Sequence, residues 1–180
     1  MRESSKAALC GIISALGVVI LLSTYLSPFL VYTAPAFAGL LLLIILSEIG
    51  YKWAIGSYFT ISVLSFFIIS DKEASVFFIM LFGFYPILGY FLSQKIQSKL
   101  IGYLIKFPVF NISCAASYFL CTYVFGIDSD ELFSDGIIFF ILFIVLLNVF
   151  FFVYDILVIR LMELYRIKFR KRLRKLFNLR

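Results

Sequence analysis

Apolar residues run along this chain in long stretches broken by short polar clusters, not in alternation with polar residues. Six stretches can be drawn, over residues 7–24, 34–49, 53–69, 75–93, 101–126 and 137–160. An α-helix needs about 20 residues to cross a hydrocarbon core roughly 30 Å thick, and each stretch approaches or exceeds that length. A membrane β-barrel needs segments of about ten residues with alternating polarity, and this chain has no such pattern. The pattern therefore predicts an all-α, polytopic membrane protein. It divides into a six-transmembrane-helix bundle over residues 1–165 and a basic amphipathic cytoplasmic tail over 166–180. Pro35 falls in the first turn predicted for the second helix, where a missing N–H has no consequence. Pro108 falls inside the fifth. Arg2 and Lys6 precede the first apolar run, but no cleavage site follows, so the run is read as a retained helix.

Composition fits this picture. The chain is 63% hydrophobic and 14% charged, where a soluble domain is about 25% charged. Its net charge of +6 is concentrated in the tail. Basic residues flanking the stretches set the orientation. With the N-terminus inside, Lys6, Lys52, Lys95, Lys99, Lys106, Arg160 and the tail all fall on the inner side. Of the 16 basic residues only Lys72 lies outside. The outer connections carry Asp71, Glu73, Asp128, Asp130, Glu131 and Asp135. The expected location is the cell membrane, multi-pass, with both termini cytoplasmic. In the tail, Phe169, Leu173, Leu176 and Phe177 form one apolar stripe among Arg and Lys. Such a helix lies along the inner leaflet, drawn to anionic lipid by about 1 kcal/mol per basic residue. Membrane lipid is the expected partner, and nucleic acid is not. The first outer connection, residues 25–33, is apolar and uncharged and is read as lying in the interface or folding over the outer mouth. Tyr25 and Tyr32 there suit the headgroup level.

There is no histidine, which removes the commonest general base and metal ligand. Cys10, Cys114 and Cys121 lie inside apolar stretches without ligand spacing. No metal, cofactor or enzymatic activity is expected. Polar side chains within the bilayer are costly and are functional candidates. Tyr85, Asn111 and Asn148 each lie about ten residues, or roughly 15 Å, from an end of their stretch, near the midplane. Gly83 and Pro86 flank Tyr85, and Pro86 leaves the Phe82 carbonyl without its helical donor. The three residues form either a small-solute site or hydrogen bonds between helices. Lys106 and Asp155 lie a turn or two inside the inner surface. They are expected to be close, as an ion pair fixing the fifth and sixth helices; a relay, or snorkelling of Lys106, is the alternative. Lys72 and Glu73 either cap the fourth helix with Asp71 or contact an entering solute. Glu48 is placed to pair with Lys52 if the second helix continues.

Ala7, Gly11 and Ala15 recur every four residues, which lets another helix approach closely. Six short helices in a chain of this length, with this spacing in the first, resemble the substrate-binding S components of energy-coupling factor (ECF) transporters. In that family an Ala-x3-Ala-type face docks the transmembrane coupling protein. The resemblance implies that Ala7, Gly11 and Ala15 form this face, and that residues 25–33 act as a lid. Tyr85, Asn111, Asn148, Tyr32, Lys72 and Glu73 would then contact a small-molecule solute such as a vitamin or precursor. The chain lacks a phosphate-cradling Gly-x4-Gly-Lys-Ser/Thr loop, so the resemblance implies that partner ATPase subunits supply the energy. The competing reading is a non-transport scaffold subunit of an envelope-assembly complex.

Overall fold

The computed structural model describes residues 3–96, 99–126, 137–165 and 167. Arg2, the acidic connection 127–136 and the amphipathic tail, apart from Ile167, lie outside the described residues. Every element among those described is helical. Helix α1 (Glu3–Leu22) runs into a 3-10 turn (Ser23–Leu26). It is followed by α2 (Leu30–Glu48) and α3 (Tyr51–Ile68). Helix α4 is α-helical over Lys72–Phe77 and Phe84–Lys95, with a π turn (Phe78–Phe82) between. Helix α5 (Lys99–Phe119) closes in a second π turn (Leu120–Val124), and α6 spans Ile137–Leu164. The result is an all-α helical bundle.

Five of the six helices are long and apolar enough to cross a membrane. Helix α3, with 18 residues, is not among them. Its first turn holds Tyr51, Lys52 and Trp53, residues suited to the headgroup level, which shortens its apolar part. Outward positions elsewhere are apolar: Leu104, Ile112 and Leu146 are each about two-thirds exposed or more. A surface of this kind is insoluble in water and ordinary against lipid, so the chain is a helical membrane protein.

Short connections force neighbouring helices to run in opposite directions. The N-terminal end of the bundle gathers the start of α1, the α2–α3 turn, the end of α4, the start of α5 and the end of α6. The distal end gathers the α1–α2 and α3–α4 connections. At the N-terminal end, the N–H groups of Ile49 and Gly50 both bond to the Ile45 carbonyl (2.9 and 3.0 Å). Gly50 has φ +114°, a conformation only glycine adopts without strain. This turn ends α2 at Glu48, so the continuous helix needed for a Glu48–Lys52 pair does not form. Glu48 instead accepts a hydrogen bond from Tyr165 (3.3 Å).

The distal end also differs from the sequence expectation. The second helix begins at Leu30, four residues before the expected start at Ala34, so that the 3-10 turn and the first turn of α2 take up all of residues 25–33 but Ser27–Phe29. Pro28, not Pro35, marks the start of α2, and Pro35 lies inside it. A membrane helix tolerates this because neighbouring groups re-satisfy the freed carbonyl.

Helix α2 is the centre of the bundle and packs on α1, α3, α4 and α6. At Gly39 it comes close to the backbone of α4. A Cβ built on Gly39 would lie 2.1 Å from the Phe82 carbonyl oxygen, so the glycine Cα–H points at that oxygen, a weak but directional contact. Pro86 has no N–H to offer Phe82, and the absent side chain of Gly39 leaves the notch that accommodates the freed carbonyl.

Candidate functional site

The π turn in α4 determines what Tyr85 meets. The Gly83 N–H reaches back five residues to the Phe78 carbonyl (2.8 Å). One extra residue in a turn re-phases everything after it. It also leaves the Ile79 carbonyl without its usual donor, and the Tyr58 hydroxyl of α3 supplies one (2.7 Å). Gly83 makes room for that ring, since a Cβ there would fall 2.7 Å from Tyr58. With α4 rotated in this way, the Tyr85 hydroxyl donates to Asp155 Oδ1 on α6 (2.5 Å). Lys106 Nζ on α5 donates to the same oxygen (2.8 Å). One carboxylate therefore ties three helices together.

Asp155 is 1% exposed, and its second oxygen, Oδ2, has no hydrogen-bond partner among the described residues. Lys106 is mostly buried, and its ammonium lies 5.6 Å from the centre of the Tyr103 ring. Aromatic rings enclose the group: Phe151 packs on Phe110 (4.7 Å) and Tyr85 (5.7 Å), and Tyr154 packs on Tyr85 (5.7 Å). A cavity of about 500 Å³ lies beside the cluster, toward the N-terminal end, between α4, α5 and α6. Lys106 and Tyr103 stand on its wall with Pro86, Gly89, Tyr90 and Ser93, and Glu163 is also part of the lining.

The other expected site residues go elsewhere. Asn111 and Asn148 meet each other, Nδ2 of Asn111 donating to Oδ1 of Asn148 (3.1 Å). Each also donates to the carbonyl four residues before it, Phe107 (2.9 Å) and Ile144 (2.8 Å). They clasp α5 to α6, and Tyr85 does not join them. Asp155 lies about two helical turns beyond Asn148, and Tyr85 has turned to it. Tyr32, Lys72 and Glu73 sit at the distal end. The Tyr32 hydroxyl donates to Glu73 Oε1 (3.0 Å), stapling α2 to α4. Lys72 Nζ donates to the Phe66 and Ile69 carbonyls (2.7 and 2.9 Å) at the end of α3, where a cation offsets the helix dipole. Asp71 caps α4 by accepting from the Ala74 N–H (3.4 Å). Tyr25 and Ser70 exchange hydrogen bonds across the same end.

On α1, Leu9, Cys10, Ile13, Gly17 and Val18 face the bundle, while Ala7, Gly11 and Ala15 face outward. A Cβ on Gly11 would meet nothing within 4 Å. Gly11→Leu is therefore expected to leave the thermal unfolding of the isolated chain within about 0.5 kcal/mol of wild type. A loss clearly beyond that in a detergent-solubilised melt would place this face inside the bundle.

Among the described residues, no group of three His, Cys, Asp or Glu side chains is placed to hold a metal. Tyr103 and Gly89 were not singled out from sequence. Tyr103 had a readable signal, three residues before Lys106 and so on the same helix face; Gly89 had none. No protein-family model, curated protein or solved structure matches the chain.

Proposed function

We propose that the chain is a membrane-embedded solute-binding subunit of an ECF-type importer for a small molecule such as a vitamin or precursor, with both termini in the cytoplasm. The observation that carries the reading is the cavity of about 500 Å³ beside the Tyr85–Asp155–Lys106 cluster. A concave space with a mostly apolar wall and a few convergent polar groups is the usual form of a small-molecule site. The distribution of basic residues puts that end of the bundle at the cytoplasm. The distal end is held by Tyr25–Ser70 and Tyr32–Glu73. Helices tied together at the distal end, with a cavity toward the cytoplasmic end, suit an importer subunit at the release stage. The site lies lower in the bundle than the midplane trio had suggested. The outward Ala7–Gly11–Ala15 face supplies a surface for a coupling protein, and partner ATPases would drive the cycle.

Native mass spectrometry from mild detergent tests this. Wild type is expected to carry a small molecule, and Gly89→Trp, which fills the cavity, to lose it. Wild-type protein that never carries one would remove the solute-binding reading. The scaffold reading rests on the same exposed α1 face. It predicts envelope-assembly proteins, not a coupling protein and ATPases, among the partners that co-purify with wild type and are lost with Gly11→Leu.

A further inference from the structure

We propose that the cavity between α4, α5 and α6 takes an uncharged solute with an apolar body and a hydrogen-bond acceptor, the acceptor being held by the unused N–H bonds of Lys106. This rests on the reading of the cavity as a solute site and names the solute's chemical class. An ammonium has three N–H donors. Lys106 uses one, on Asp155 Oδ1, and makes no other hydrogen bond among the described residues. It stands on the cavity wall, so it has donors left over for a carbonyl, amide or hydroxyl oxygen entering there.

Charge balance excludes the alternatives. Lys106 and Asp155 cancel, and Glu163 on the wall lies 3.6 Å from Arg160. The wall is neutral before any solute arrives. A carboxylate or phosphate would leave one uncancelled negative charge in a low-dielectric interior, unless it drew Lys106 away from Asp155. That withdrawal is unfavourable here. Among the described residues, Asp155 holds both its donors on one oxygen and none on the other, so losing Lys106 would leave it there with Tyr85 alone. A cationic solute needs a carboxylate free of a cation: Asp155 is not on the wall and is 1% exposed with Lys106 and Tyr85 bonded to it, and Glu163, the carboxylate on the wall, is already paired with Arg160. The rest of the wall includes Pro86, Leu92, Val158 and Met162, which suits an apolar body.

The test is to release small molecules from purified full-length protein by heat. They are then passed over anion and cation exchangers at pH 7 and measured by mass spectrometry. The expected result is a species present with wild type, reduced at least about tenfold in both Gly89→Trp and Ser93→Phe, and retained by neither exchanger. Using two filling variants on the same wall guards against one failing to fold. A cavity-dependent species caught by either exchanger overturns the assignment of an uncharged solute and leaves the solute-binding reading intact. A species undiminished in both folded variants, or no species at all, overturns the site itself.

Discussion

Lys106→Met is expected to lower the stability of the purified protein by about 3–5 kcal/mol, the range for removing one partner of a buried ion pair. The loss should be large because Asp155 is 1% exposed and its Oδ2 already lacks a donor. Without the ammonium, Tyr85 is the only remaining hydrogen bond to the carboxylate among the described residues. Lys106→Met/Asp155→Leu removes both charges and should recover most of the loss, since well-packed apolar replacements of buried pairs are often neutral or better. Unfolding curves in detergent micelles, read by circular dichroism against added denaturing surfactant, compare the three proteins. The order wild type ≈ double variant > Lys106→Met is the signature. A single variant as stable as wild type would mean that the ammonium and carboxylate do not meet in the folded protein.

This pair illustrates what sequence alone could yield. Two charges on adjacent apolar helices must find each other, because neither is tolerable alone in hydrocarbon, so Lys106 and Asp155 could be brought together without coordinates. The helical segments and the small-residue face of α1 were legible for a similar reason, since hydropathy and spacing reveal them directly. Helix rotation was not. Asn111, Asn148 and Tyr85 share a depth, but depth does not determine azimuth. The π turn at Phe78–Phe82 swings Tyr85 onto Asp155, and no residue type in FIMLF announces it. The apolar uncharged run at 25–33 lacks charges and so reads as an interfacial or folded-over connection, a lid only through the family resemblance. It is helical from Leu30 because Pro28 sets the turn and the Tyr32 hydroxyl finds Glu73. The cavity could not be foreseen because it comes from three helices failing to fill one space.

Gly39→Ala is expected to cost about 3 kcal/mol or more, at or above the upper end for overpacking. The added Cβ would lie 2.1 Å from the Phe82 carbonyl oxygen and 2.8 Å from its carbon. Both are backbone atoms, so no rotamer change relieves the clash, and α2 and α4 must separate. Separation would also disturb the Tyr154 hydroxyl, which a Cβ would approach to 3.2 Å. Two other glycines of the bundle calibrate the effect. At Gly17 the added carbon would lie 2.9 Å from Ile61 Cδ1, the end of a flexible side chain, and the loss should stay near 1 kcal/mol. At Gly11 nothing lies within 4 Å, and alanine should be neutral or stabilise by up to about 1 kcal/mol through helix propensity. The three substitutions make the same chemical change, a hydrogen replaced by a methyl, in helices facing the same lipid. A graded loss in the order Gly11, Gly17, Gly39 therefore measures how closely each helix is approached. If Gly39→Ala unfolds with Gly11→Ala, the freed Phe82 carbonyl does not rest on α2, and the re-phasing of α4 that delivers Tyr85 to Asp155 loses its anchor.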